Sequence, residues 1–125
     1  MKISVLCVLI AGVLPLISTA IAKWGFRDFD NHHPRDWLSR QTGFRSRANA
    51  AQLNAFEAFP FFAIAVVLGL VLSLDQAVLN RYCLVFVAAR VLYLVAYLAN
   101  WASLRTLCWL VAYASCFAIY LQLLV

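Results

Sequence analysis

Four apolar runs, each close to twenty residues long, leave this chain few ways to fold. They occupy 3–22, 55–74, 82–99 and 106–125, and a helix needs about 20 such residues to cross about 30 Å of hydrocarbon. A membrane β-strand is about ten residues long and alternates apolar with polar positions, whereas these runs are unbroken. At 66% hydrophobic residues and a mean hydropathy of +0.87, the chain is too apolar for an ordinary soluble domain. It reads as an all-α, membrane-embedded antiparallel four-helix bundle, one domain over 1–125. With their polar shoulders the spans fall at 3–22, 47–74, 79–99 and 105–125. The first run is read as a span rather than a cleaved leader, because it is long for a signal sequence.

The net charge of +5 is a topology signal and not a nucleic-acid signature. Six basic residues, Lys23, Arg27, Arg35, Arg40, Arg45 and Arg47, lie between the first two runs, against Asp28, Asp30 and Asp36. Positive flanks stay inside, so loop 23–46 is expected to be cytoplasmic, with both termini on the opposite side of a bacterial inner membrane. Trp24 and Trp37 bracket this loop as interfacial anchors. His32 and His33 are adjacent and have no carboxylate at a metal spacing, so they read as a solvated turn, with a substrate-contacting lid as the alternative. Cys7, Cys83, Cys108 and Cys116 form no CxxC motif and read as packing residues; no metal is expected. The links 73–81 and 100–105 are short, which makes neighbouring helices antiparallel. Gly69 offers a place for close helix approach.

One stretch departs from the apolar pattern. Arg47, Asn54 and Glu57 fall at i, i+7 and i+10, near one face of a helix. An ionisable group in mid-membrane costs roughly 2.5–3.5 kcal/mol on insertion scales and therefore faces a partner, cavity or ligand. Pro60 follows Glu57 and is expected to bend or open the helix there. In the third run Arg90, Tyr93 and Tyr97 share a face at i, i+3 and i+7. Glu57 lies ten residues beyond Arg47, and Arg90 ten residues before Asn100, each about 15 Å along its helix. Carboxylate and guanidinium are therefore expected to meet, with Asn54 level with Tyr93 and Arg105 at the same rim. A buried structural ion pair is one reading of this group. The other is a polar pocket, which suits a small zwitterion: Arg for carboxylates, Glu for an ammonium group, Tyr for a hydrogen bond.

These residues resemble the signatures of the MAPEG proteins, membrane-associated proteins in eicosanoid and glutathione metabolism. Arg47, Asn54, Glu57 and Pro60 match the family's second-helix pattern; Ala89, Arg90, Tyr93 and Tyr97 match its third. The segment 98–105 is most similar to the bacterial branch. The resemblance implies a homotrimer with glutathione as co-substrate, bound between neighbouring subunits near the cytoplasmic side. Arg47, Asn54 and Glu57 would contact the tripeptide, Gln52 its backbone or carboxylate, and Arg90, Tyr93 and Tyr97 its charged ends. Arg105 would be the catalytic residue that stabilises the thiolate, which attacks a lipophilic electrophile or a hydroperoxide arriving from the membrane lipid. Two other readings remain open at this point: a non-catalytic membrane subunit or ligand-binding scaffold of the same fold, and a small proton-coupled exporter working through Glu57.

Overall fold

The computed structural model describes residues 1–25 and 27–125. Five helices follow in order: α1 (Lys2–Ala22), α2 (Pro34–Ser39), α3 (Gly43–Val71), α4 (Gln76–Leu98) and α5 (Ala102–Leu124). No strand occurs among the described residues. All but α2 are long and apolar enough to cross a membrane. At 29 residues α3 is about 43 Å long, more than a bilayer core requires, so its helical structure begins well before the apolar run does.

The ends of the long helices are set by local chemistry. Asp75 caps α4: one carboxylate oxygen accepts the Ala77 and Val78 amides, both at 3.0 Å, which satisfies two of the orphan donors of the first turn. Helices α3 and α4 both end in Schellman turns. Past α3 the Leu74 amide donates to the Gly69 carbonyl (2.8 Å) and the Ser73 amide to Leu70 (3.3 Å); past α4 the Trp101 amide donates to Ala96 (2.8 Å) and the Asn100 amide to Tyr97 (3.1 Å). The pivots, Ser73 at φ 57° and Asn100 at φ 61°, are left-handed. These two turns reverse the chain in a few residues, so α3, α4 and α5 run antiparallel in sequence.

The connection between α1 and α3 is more ordered than a solvated turn. The Asp30 carboxylate accepts the His32 and His33 amides at 2.9 and 3.3 Å and meets the His33 ring at 3.0 Å. The His32 amide first, and then the His33 ring, hold this carboxyl below its ordinary range. Pro34 then opens α2, where its missing N–H costs nothing. Leu38 of α2 is buried with Ala22 and Ala48, and Phe29 meets Trp37 edge-on at 5.3 Å. The histidines themselves stay exposed.

Helix α1 packs mainly along α3, and α4 along α5. Where the two pairs meet, Phe62 and Phe86 stack at 3.8 Å and 8°, both essentially inaccessible. Cys7, Cys83 and Cys116 lie in the same cluster as free thiols among Ala58, Ala65 and Ala112, small residues that let the backbones approach. Pro60 does not open α3, which is helical throughout; a helix tolerates a lost backbone bond when its neighbours support it. One residue beyond it the Tyr120 hydroxyl donates to the Phe61 carbonyl at 3.1 Å, which ties α5 to α3 at this level.

Gly69 has the packing role its isolation in the second run suggests. A Cβ there would lie 3.0 and 3.3 Å from the two methyl carbons of Leu79. A branched side chain must push the α3–α4 hairpin apart. Gly69→Leu is expected to lower stability by about 1–3 kcal/mol, read from unfolding in denaturing detergent followed by circular dichroism.

Candidate functional site

The site is built from α3, α4 and the first turns of α5. Its register is fixed at the rim, where Arg47 donates from Nε and Nη2 to the Leu98 carbonyl at 3.2 and 3.1 Å. That bond places Arg47 level with Leu98, not with Asn100. Seven residues deeper on α3 is Asn54, and eight on α4 is Arg90. The Arg90 Nη1 donates to Asn54 Oδ1 at 2.9 Å, and the Asn54 Nδ2 donates to Glu57 Oε2 at 3.3 Å.

The direct ion pair expected between Glu57 and Arg90 is therefore absent from the described residues, whose ion pairs are Asp30 with His33 and Asp36 with Arg40. The two-residue shift in register moves Arg90 about half a turn toward the rim relative to Glu57, and the amide of Asn54 fills the gap. The same shift makes Arg90, and not Tyr93, the neighbour of Asn54. The three groups form a relay from guanidinium through amide to carboxylate. Arg90 is 4% exposed, while Glu57 lies on the outer surface of the bundle. One end of the relay is inside the fold and the other is open.

Aromatic rings line the Arg90 side. The guanidinium sits 4.3 Å from the Tyr93 ring centroid, and Tyr93 meets Tyr97 edge-on at 5.5 Å. Arg105, in the first turn of α5, lies 4.4 Å over the other ring, Tyr97. A cation held on a ring face keeps its charge and its remaining donors available. Asn54, Glu57, Arg90, Tyr93, Tyr97 and Arg105 thus form one connected group.

Two of the sequence candidates stand apart from it. Arg47 is committed to the rim bond. Gln52 lies on another face of α3, against α2, where it lines a cavity of about 490 Å³ with Arg35, Ser39, Asn49 and Phe56. Its Oε1 is buried without a hydrogen-bond donor. One residue near the group was not singled out from sequence: Tyr113 lies within electrostatic range of Arg90 and Glu57. Its ring stacks on Phe61 at 6.1 Å and meets Trp109 at a tilt at 4.7 Å. Its spacing of eight residues from Arg105, two helical turns on the same face, is the signal that would have found it. No cluster of His, Cys, Asp or Glu among the described residues is arranged to hold a metal ion.

Four long apolar helices, with charged and phenolic groups gathered in one cluster, define an integral, multi-pass membrane protein. The model of the MAPEG family matches residues 3–125, and the chain belongs to that family. Comparison with curated proteins and with solved structures gives no match.

Proposed function

We propose that the protein is a glutathione-dependent transferase or peroxidase that acts on lipophilic electrophiles. The observation that carries this reading is the Arg90–Asn54–Glu57 relay. It sets a carboxylate at the surface, an amide behind it and a cation beneath in one line, charges of the kind that a small peptide zwitterion pairs with. Family membership points the same way, since MAPEG proteins use glutathione. Glu57 offers its carboxylate to the ligand's ammonium, while Arg90, Tyr93 and Tyr97 take the opposite charge and its hydrogen bonds. Arg105 faces the thiol. The thiol proton passes to water, and the thiolate attacks an electrophilic carbon, forming C–S as the leaving group departs with the bonding pair, or attacks a peroxide oxygen, forming S–O as O–O breaks and the alkoxide leaves; a second glutathione thiol then displaces water from the sulfenic acid to give the disulfide.

The outward placement of Glu57 supports an assembly. A carboxylate left to lipid at this depth is costly, and a second copy packed on this face covers it. Gln52, on another side of α3 with an unmet acceptor, would then serve a neighbouring copy's site, as a homotrimer requires. The positive loop 23–46 supports a cytosolic position for this end of the bundle, where glutathione is available, and the resemblance to the family's bacterial branch supports the inner membrane.

The test is calorimetric titration of detergent-solubilised protein with glutathione, with thiolate absorbance recorded in parallel. Saturable heat with a thiolate band near neutral pH is expected. Absence of both at millimolar glutathione would overturn the proposal. Heat without the thiolate band would mean a ligand-binding scaffold and not an enzyme.

A further inference from the structure

On the wall formed by α4 and α5, away from the relay, two cavities of about 280 and 320 Å³ share Val85 and Val111 and so form one trough. It runs from Arg81 to Leu92 on α4 and from Ser115 back to Leu104 on α5. Eleven residues on each helix correspond to about 16 Å, about the depth of one leaflet in a core of about 30 Å. The walls are Val85, Leu92, Leu107 and Val111, and Ala88 and Ala114 keep the floor low. The mouth is different in kind: Arg81 is exposed beside Tyr82.

Arg81 has no ion-pair or hydrogen-bond partner among the described residues. The acid at this end of the bundle, Asp75, has an oxygen engaged in capping α4. The four other arginines on the long helices are held: Arg45 by the Trp24 carbonyl, Arg47 by the Leu98 carbonyl, Arg90 by Asn54 and Arg105 by Tyr97. A cation at the head of a chain-wide apolar channel calls for an anion that carries an alkyl tail. We propose that this trough holds one acyl chain of an anionic phospholipid, with its phosphate paired to Arg81. The second chain remains in the bilayer, and Tyr82 sits at headgroup level as interfacial tyrosines do.

The full chain, reconstituted in an equal mixture of phosphatidylglycerol and phosphatidylcholine and gently extracted, is to be examined by native mass spectrometry. Retained lipid is expected to favour phosphatidylglycerol by about fivefold, the factor one basic residue contributes near an anionic surface. Arg81→Gln should bring the ratio to parity and Arg81→Lys should keep the preference. Ala88→Leu, at an exposed position where folding is not at stake, should fill the trough and reduce retention of both lipids. A phosphatidylglycerol carrying a photoreactive acyl chain should label 85–92 and 104–111. Equal retention by the wild type, an undiminished preference in Arg81→Gln, or labelling spread evenly over all helices would overturn the proposal. So would crosslinking of two copies through Val85 and Val111, which would mean that protein covers the trough.

Discussion

Replacing Asn54 with leucine should destabilise the protein by about 3 kcal/mol, the lower end of what stranding a buried charge costs. Arg90 is nearly inaccessible, and the Asn54 carbonyl is the acceptor it reaches. Leucine fills the space but leaves the guanidinium with only the Tyr93 face to offset its desolvation. That ring contact is why the lower end of the range applies. Arg90→Leu strands a neutral amide instead, which keeps its bond to Glu57, so the loss should be about 1 kcal/mol. The double variant Asn54→Leu/Arg90→Leu removes both members and should unfold close to the wild type, because a buried polar pair exchanged for apolar residues is often neutral. The cycle therefore predicts a coupling of 2 kcal/mol or more, in a fold whose total stability is about 5–15 kcal/mol. Detergent unfolding monitored by circular dichroism provides all four corners. If the two single losses simply add, the relay is not a unit, and the register built on Arg47 and Leu98 does not hold it together.

How far the sequence foretells this arrangement depends on the range of the interaction. Helix existence follows from apolar length, and the gathering of Arg90, Tyr93 and Tyr97 follows from helical spacing, because both are properties of one segment. Register between segments is another matter. Counting from Asn100 instead of Leu98 displaces α4 by two residues, about 3 Å, enough to turn an amide relay into a supposed ion pair. The offset comes from the Schellman turn at Asn100, which ends α4 at Leu98, and from the choice of a backbone carbonyl as the Arg47 acceptor. A carbonyl has no signature in a list of side chains. The short helix α2 is hidden for a similar reason: its one buried contact, Leu38 against Ala22 and Ala48, joins three segments far apart in sequence. Gln52 and Asn54 are two residues apart and so lie on nearly opposite faces of α3. Assigning both to one ligand makes sense only if two copies contribute.

The second large effect concerns the thiol. Arg105→Ala should lower conjugation of a soluble aromatic halide at pH 7 by roughly 10²-fold, the scale on which a single donor to a developing or stabilised anion acts. A free thiol with a pKa of about 8.5 is only a few per cent thiolate at neutral pH. A guanidinium at contact distance favours the charged form, and Tyr97 fixes that guanidinium over its ring without competing for its donors. Removing it should return the bound thiol toward its ordinary pKa. The sign follows: the variant loses most rate near neutrality and recovers as hydroxide supplies the thiolate, so its pH–rate profile moves to higher pH, whereas the wild-type profile levels off earlier. Glutathione affinity should fall far less than turnover if, as proposed, Arg90, Asn54 and Glu57 hold the peptide, because all three remain. Tyr97→Leu, which leaves the charge but removes the surface it rests on, should give a smaller loss and a smaller displacement in the same direction. A uniform drop in rate at every pH would mean that Arg105 shapes the site without touching the sulfur, and the assignment of the thiolate to this arginine would then be wrong.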